Sequence, residues 1–90
     1  MKKEDVNVMG MPLERWTNGS CVADFGVGDD WATLYSIETP QADRKKGLAT
    51  NLLIEARKYY EEQGKNFGGS IALSPEMKKI YGKLNITEYA

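Results

Sequence analysis

Ninety residues, 41% of them apolar and 28% charged, describe one small globular domain with a modest core. The chain has no histidine and a single cysteine, Cys21, so an internal disulfide is impossible; zinc, haem and iron–sulfur centres and Ser–His or Cys–His nucleophile pairs are not expected. The net charge of −1 conceals an asymmetry: residues 1–40 are acidic and residues 41–90 basic, and an overall acidic chain does not call for nucleic acid as a partner. The apolar runs are only a few residues long and none follows the charged start, so neither a membrane span nor a signal peptide is expected, and the expected location is cytoplasmic.

In chain order, residues 5–9 alternate and read as a strand. Residues 11–16 are harder to place, because Pro12 argues against a central strand. Asn18-Gly19 is a turn signal. Residues 20–27 alternate Cys21, Ala23, Phe25 and Val27 against Val22 and Asp24, and read as a strand. After the turn at 28–30, residues 31–37 form the next strand, paired antiparallel with it. Leu48, Leu52, Leu53, Ala56 and Tyr60 follow helical spacing, with Gly64 as the stop. A strand is predicted over residues 70–73, parallel to the strand at 31–37 through a right-handed crossover. Ser74 and Pro75 open a second helix whose inner face is Met77, Ile80, Tyr81 and Leu84. Residues 85–89 read as a short terminal strand. The expected fold class is therefore α/β (α+β): a mixed sheet of antiparallel N-terminal strands plus a strand–helix–strand unit, in one domain spanning residues 1–90.

The junction between the strand at 31–37 and the first helix carries the chemistry. It reads Arg44-Lys45-Lys46-Gly47-Leu48-Ala49. The first amides of a helix lack internal partners and sit at the positive end of its dipole, so this turn favours an anion. Gly47 lets the backbone approach a phosphate, and Lys45 and Lys46 add cationic charge. One glycine does not make a dinucleotide fingerprint, and no Gly-Lys-Ser/Thr follows.

The spacing Arg-x-x-Gly-x-Ala resembles the acyl-coenzyme A signature of the GCN5-related N-acetyltransferases. Thr39-Pro40 before the loop, residues 52–56 in the helix and the late segment Ile80-Tyr81-Gly82-Lys83-Leu84 extend the resemblance over residues 20–90. It implies acetyl-CoA as cosubstrate, no metal, and transfer of acetyl to a primary amine on a protein lysine, an N-terminus or a small molecule. The amides from Lys45 through Lys46, Gly47, Leu48 and Ala49 to Thr50 would hold the pyrophosphate beside Arg44. In that family the strand before the loop splays from its neighbour, and amides around Ser36, Ile37 and Glu38 would bind the pantetheine arm. Tyr81 would protonate the leaving thiolate; the plain alternative is a core tyrosine. Glu38 is the candidate base, provided partial burial raises its pKa, with Asp24 as the alternative. Cys21 as an acyl-accepting nucleophile is the weakest reading, since a lone strand cysteine usually belongs to a core.

Departures from the pattern keep a second reading open. The N-terminal helices of full-length members have no counterpart before residue 20, and Ser74-Pro75 stands where an asparagine is frequent. A degenerate module that acts by binding a protein is the rival to an enzyme. An uncovered sheet edge, with Trp16 and Trp31 on that side, is expected to support a homodimer or docking onto a protein substrate, unless the first 18 residues fold back over it.

Overall fold

Left-handed glycines at two tight turns, Gly10 (φ 84°) and Gly19 (φ 59°), fold the start of the chain into a meander. A computed structural model describes residues 1–70 and 75–89. Strands β1 (Lys2–Val8), β2 (Met11–Asn18), β3 (Cys21–Val27) and β4 (Trp31–Glu38) form an antiparallel meander, β1 pairing with β2, β2 with β3 and β3 with β4. Helix α1 (Leu48–Glu62) carries the chain from β4 to β5 (Asn66–Ser70), which pairs parallel with β4. Helix α2 (Pro75–Leu84) precedes β6 (Thr87–Tyr89), which pairs parallel with β5. The result is an α+β domain with a six-stranded mixed sheet in sequence order.

The first 18 residues are thus sheet rather than a missing part, and Pro12 lies inside β2, between two neighbours. Across the two-residue turn at Met9-Gly10, Val8 and Met11 face each other as a hydrogen-bonded pair, so the next pair, Asn7 and Pro12, points its nitrogens outward. Pro12 therefore aims its nitrogen at β3, whose ladder with β2 has already ended at Glu14↔Phe25. No ladder bond is lost, and the expectation that Pro12 excludes a central strand fails for that reason.

The third difference is β5. The sequence pattern places a strand at residues 70–73, of which 71–73 lie outside the described residues, as does Ser74. The segment 66–73 does contain a strand, which among the described residues occupies Asn66–Ser70. Gly68 and Gly69 hide it from any propensity argument, yet Gly69 is required: a Cβ there would stand 2.4 Å from the Tyr81 hydroxyl oxygen and 2.8 Å from its ring. The tyrosine of α2 lies on bare backbone.

One face of the sheet receives α1 through Leu52, Leu53, Ala56 and Tyr60, all buried. Gly64 (φ 78°) ends the helix as expected, with the Lys65 amide turning back to the Tyr60 carbonyl. Phe25, Tyr60 and Phe67 pack ring on ring, with Phe25 5.6 Å from each of the other two. Trp16 belongs to this core rather than to an open edge, and only Trp31 is exposed. Buried rings need partners for their polar tips. The Trp16 Nε1–H donates to the Tyr60 hydroxyl (3.0 Å), which donates to Glu14 Oε1 (2.7 Å). Lys3 completes the chain 3.4 Å from the same carboxylate oxygen. No helix among the described residues is long and apolar enough to cross a membrane.

Burial pushes the Tyr60 phenol well above its usual value, with the Glu14 hydrogen bond and charge adding to it and the Trp16 bond partly opposing. Above pH about 10 the unfolded chain releases this proton while the folded protein keeps it. Stability is then lost as pH rises, by up to about 1.4 kcal/mol per pH unit. Urea melts from pH 9 upward are expected to show this slope in the wild type and a shallower one in Tyr60→Phe; equal slopes would refute the assignment.

Candidate functional site

Among the described residues the parallel ladder between β4 and β5 runs from Trp31↔Asn66 to Leu34↔Gly69. Ser70 still pairs with Tyr89 of β6, whereas β4 continues to Glu38 with no β5 partner among the described residues. β4 is also irregular on its other side. Its register with β3 shifts between Asp24↔Ser36 and Phe25↔Leu34, which leaves Tyr35 as an extra residue in that ladder. Such a bulge bends a strand and sharpens its twist, and here it falls at the fork where β4 runs on past its last described pair with β5.

A cleft of about 430 Å³ lies beside this fork. Ile37, Glu38 and Thr39 form one wall, the loop and first turn of α1 a second, and Met77, Lys79 and Ile80 of α2 a third. The loop approaches through a 3₁₀ turn, Gln41–Asp43. Lys45 (φ 69°) and Gly47 (φ 78°) are left-handed, with Lys46 between them on the other side of the map. Alternation of this kind turns successive amides toward one point and forms an anion-binding concavity. Gly47 caps α1 without any side-chain bond to the first-turn amides, and the first helical bond is Asn51 N–H to the Gly47 carbonyl, 2.9 Å. The open amides of the first turn and the helix dipole thus converge on the cleft.

The fold gathers most of the residues singled out in the sequence. Ile37, Glu38, Arg44, Lys45, Gly47, Leu48, Ala49 and Thr50 all line this cleft. Lys46 turns aside, its ammonium 2.9 Å from Asp43 Oδ1. Glu38 is exposed at the rim, so the partial burial on which a role as base was founded is not present. Asp24 is buried and held by Arg15 through two bonds, 2.8 and 3.0 Å, and the same contact raises the Arg15 pKa. That pairing occupies both carboxylate oxygens of Asp24 and turns them to Arg15. Tyr81 is buried over Gly69, the last β5 residue paired with β4, and is thus at the head of the fork, though the cleft walls are formed by its neighbours Met77 and Ile80.

Asp43 and Lys79 line the cleft without having been singled out. The apolar spacing of α2 marks Met77 and Ile80 as inward, but nothing local separates Lys79 from a solvated lysine. Compared with known proteins, the chain matches no family model, no curated protein and no solved structure.

Cys21 is fully buried, and burial pushes its thiol pKa up, with a Thr39 hydrogen bond opposing. A buried, protonated thiol is a poor nucleophile, which removes the acyl-cysteine reading. A disulfide reagent at pH 8 is expected to label Cys21 only as fast as the protein opens, and fully in urea. Rapid labelling of the folded protein would return Cys21 to the list of candidates.

Proposed function

We propose that this domain is a minimal member of the GCN5-related N-acetyltransferase type, binding acetyl-CoA in the cleft beside the β4–β5 fork. The observation that carries the reading is the coincidence of an uncapped helix N-terminus, the left-handed pair Lys45 and Gly47, and a strand that runs on past its last described pair with its parallel neighbour, all on one cleft. The donor set suits the ligand: amides and the cations Arg44, Lys45 and Lys79 for phosphate, and Ile37, Leu48, Met77 and Ile80 for an apolar arm. An acetyl thioester supplies an activated acyl group whose carbonyl can be attacked by an amine.

The chain's part in such a reaction is positioning and proton handling. Backbone groups of β4 beyond Leu34, on the side turned from β3, would orient the arm and polarise the carbonyl. Tyr81, at the head of the fork, would hold a proton for the departing sulfur. Exposed Glu38 suits attraction of a cationic amine better than deprotonation in a dry pocket, so the amine would lose its proton to solvent or to a base on the acceptor. The acceptor is a protein lysine, an N-terminus or a small amine. Such an enzyme would work in the cytoplasm, where acetyl-CoA is available.

The exposure of Glu38 and the recessed position of Tyr81 favour one other reading, a module that binds acyl-CoA and a protein without turnover. Acetyl-CoA at 100 times its dissociation constant is expected to stabilise the fold by about 2.7 kcal/mol. For a domain of this size that is a melting shift on the order of 10 °C. Gly47→Glu, which sets a carboxylate against the phosphate and a side chain at a left-handed position, is expected to abolish the shift. No shift for the wild type at millimolar acetyl-CoA defeats the proposal.

Tyr81→Phe is expected to keep acetyl-CoA affinity and to lower acetyl transfer to an acceptor amine by roughly 10- to 1,000-fold, measured as free coenzyme A released. An unchanged rate would return Tyr81 to a purely structural role. Binding without release across a panel of amines and peptides would favour the non-catalytic module.

A further inference from the structure

The anion loop does not stand alone: the β2–β3 turn is bonded to it at two places. Asn18 Nδ2 donates to the Leu48 carbonyl, 3.0 Å, at the first residue of α1. Ser20 Oγ donates to Asp43 Oδ2, 2.7 Å, and the other oxygen of that carboxylate receives Lys46 Nζ at 2.9 Å. Between them Gly19 leaves ordinary van der Waals space for both Leu48 methyls, 3.7 Å from where its Cβ would be. A carboxylate lining an anion cleft is unfavourable in itself, and an exposed lysine–aspartate pair contributes little on its own. The short hydroxyl–carboxylate bond from a rigid hairpin is a different matter, because it ties the loop to the sheet.

We propose that Asn18 and Ser20 are positioning residues for the cleft, and that Asp43 is their relay. The turn fixes where α1 begins, and through Asp43 it fixes the 3₁₀ turn and Lys46, so that the left-handed loop is formed before any ligand arrives. Preorganisation of this kind raises affinity by sparing the ligand the ordering of the loop. Lys46 is parked on Asp43 at small cost and is available to move onto an arriving phosphate. The inference rests on the acyl-CoA reading for the ligand's identity, but the bracing can be measured without ligand.

Two measurements on wild type, Ser20→Ala, Asn18→Ala and Ser20→Thr decide it. The first is amide hydrogen exchange of the free proteins. The alanine variants are expected to exchange about tenfold faster at the bonded amides that border the loop, those of Asp43, Arg44 and Asn51, with β3 unchanged, and Ser20→Thr to exchange like wild type. The second is calorimetric titration with coenzyme A, where the alanine variants are expected to bind about 5- to 10-fold more weakly and Ser20→Thr normally. Unchanged exchange in the loop, or faster exchange spread evenly over the whole domain, overturns the proposal. So does wild-type affinity in variants whose loop has loosened. If the wild type fails to bind coenzyme A, the acyl-CoA reading falls, and exchange at Asp43, Arg44 and Asn51 still decides whether the turn braces the loop.

Discussion

Tyr60 joins the helix to the sheet, and the position of the cleft follows from that join. Its ring fills the space between Phe25 and Phe67, and its hydroxyl is shared by Trp16 and Glu14 of β2. An apolar ring alone would let α1 slide or rotate over the sheet, because burial is not directional. Two hydrogen bonds in a water-poor core are directional, and misplacing them would leave the Trp16 indole N–H or the Tyr60 hydroxyl without its partner. The far end of α1 is held separately, by Asn18 on the Leu48 carbonyl. With both ends fixed, the open amides of the first turn have one place to point.

The second constraint is the absence of side chains. Gly69 gives Tyr81 a seat on the backbone of β5, and this brings α2 close enough for Met77 and Ile80 to close the cleft. On the neighbouring strand, one extra residue at Tyr35 follows the last described pair between β4 and β5. The candidate site therefore lies beside an irregularity in the sheet rather than on a regular face. Lys45 in a left-handed conformation and a helix without a side-chain cap belong to the same pattern: local stability is forgone along the wall that faces the cleft.

The outer strand β1 illustrates the opposite choice. Its sequence Lys2-Lys3-Glu4-Asp5 places charges along an edge that would otherwise invite another strand. Lys3 is used inward as well, on Glu14 and over the Tyr59 ring. The expectation of an uncovered edge beside β3 is met instead by the chain's own first 18 residues, which supply β1 and β2. A charged edge weakens the argument for a homodimer through β1.

Much of the architecture was legible in the residues. The strand alternation at 20–27 and 31–37, the 3.6-residue spacing from Leu48 to Tyr60, the stop at Gly64 and the basic glycine turn at 44–47 are local signals, and each was read close to its place. Eight residues named from that turn and the strand before it meet in one cleft. What the sequence could not decide by itself was anything that depends on a neighbour distant in the chain. Pro12 is tolerated because the β2–β3 ladder ends at Glu14↔Phe25, and a glycine stands at position 69 of β5 where Tyr81 packs on the bare backbone. Trp16 is inside because Tyr60 lies 44 residues away to receive its N–H, and Glu38 is exposed because nothing in the described fold covers the end of β4. Propensity and periodicity report on the nearest few residues; register, burial and the partners of polar groups are set by which elements the sheet brings side by side, and only the tertiary structure contains that.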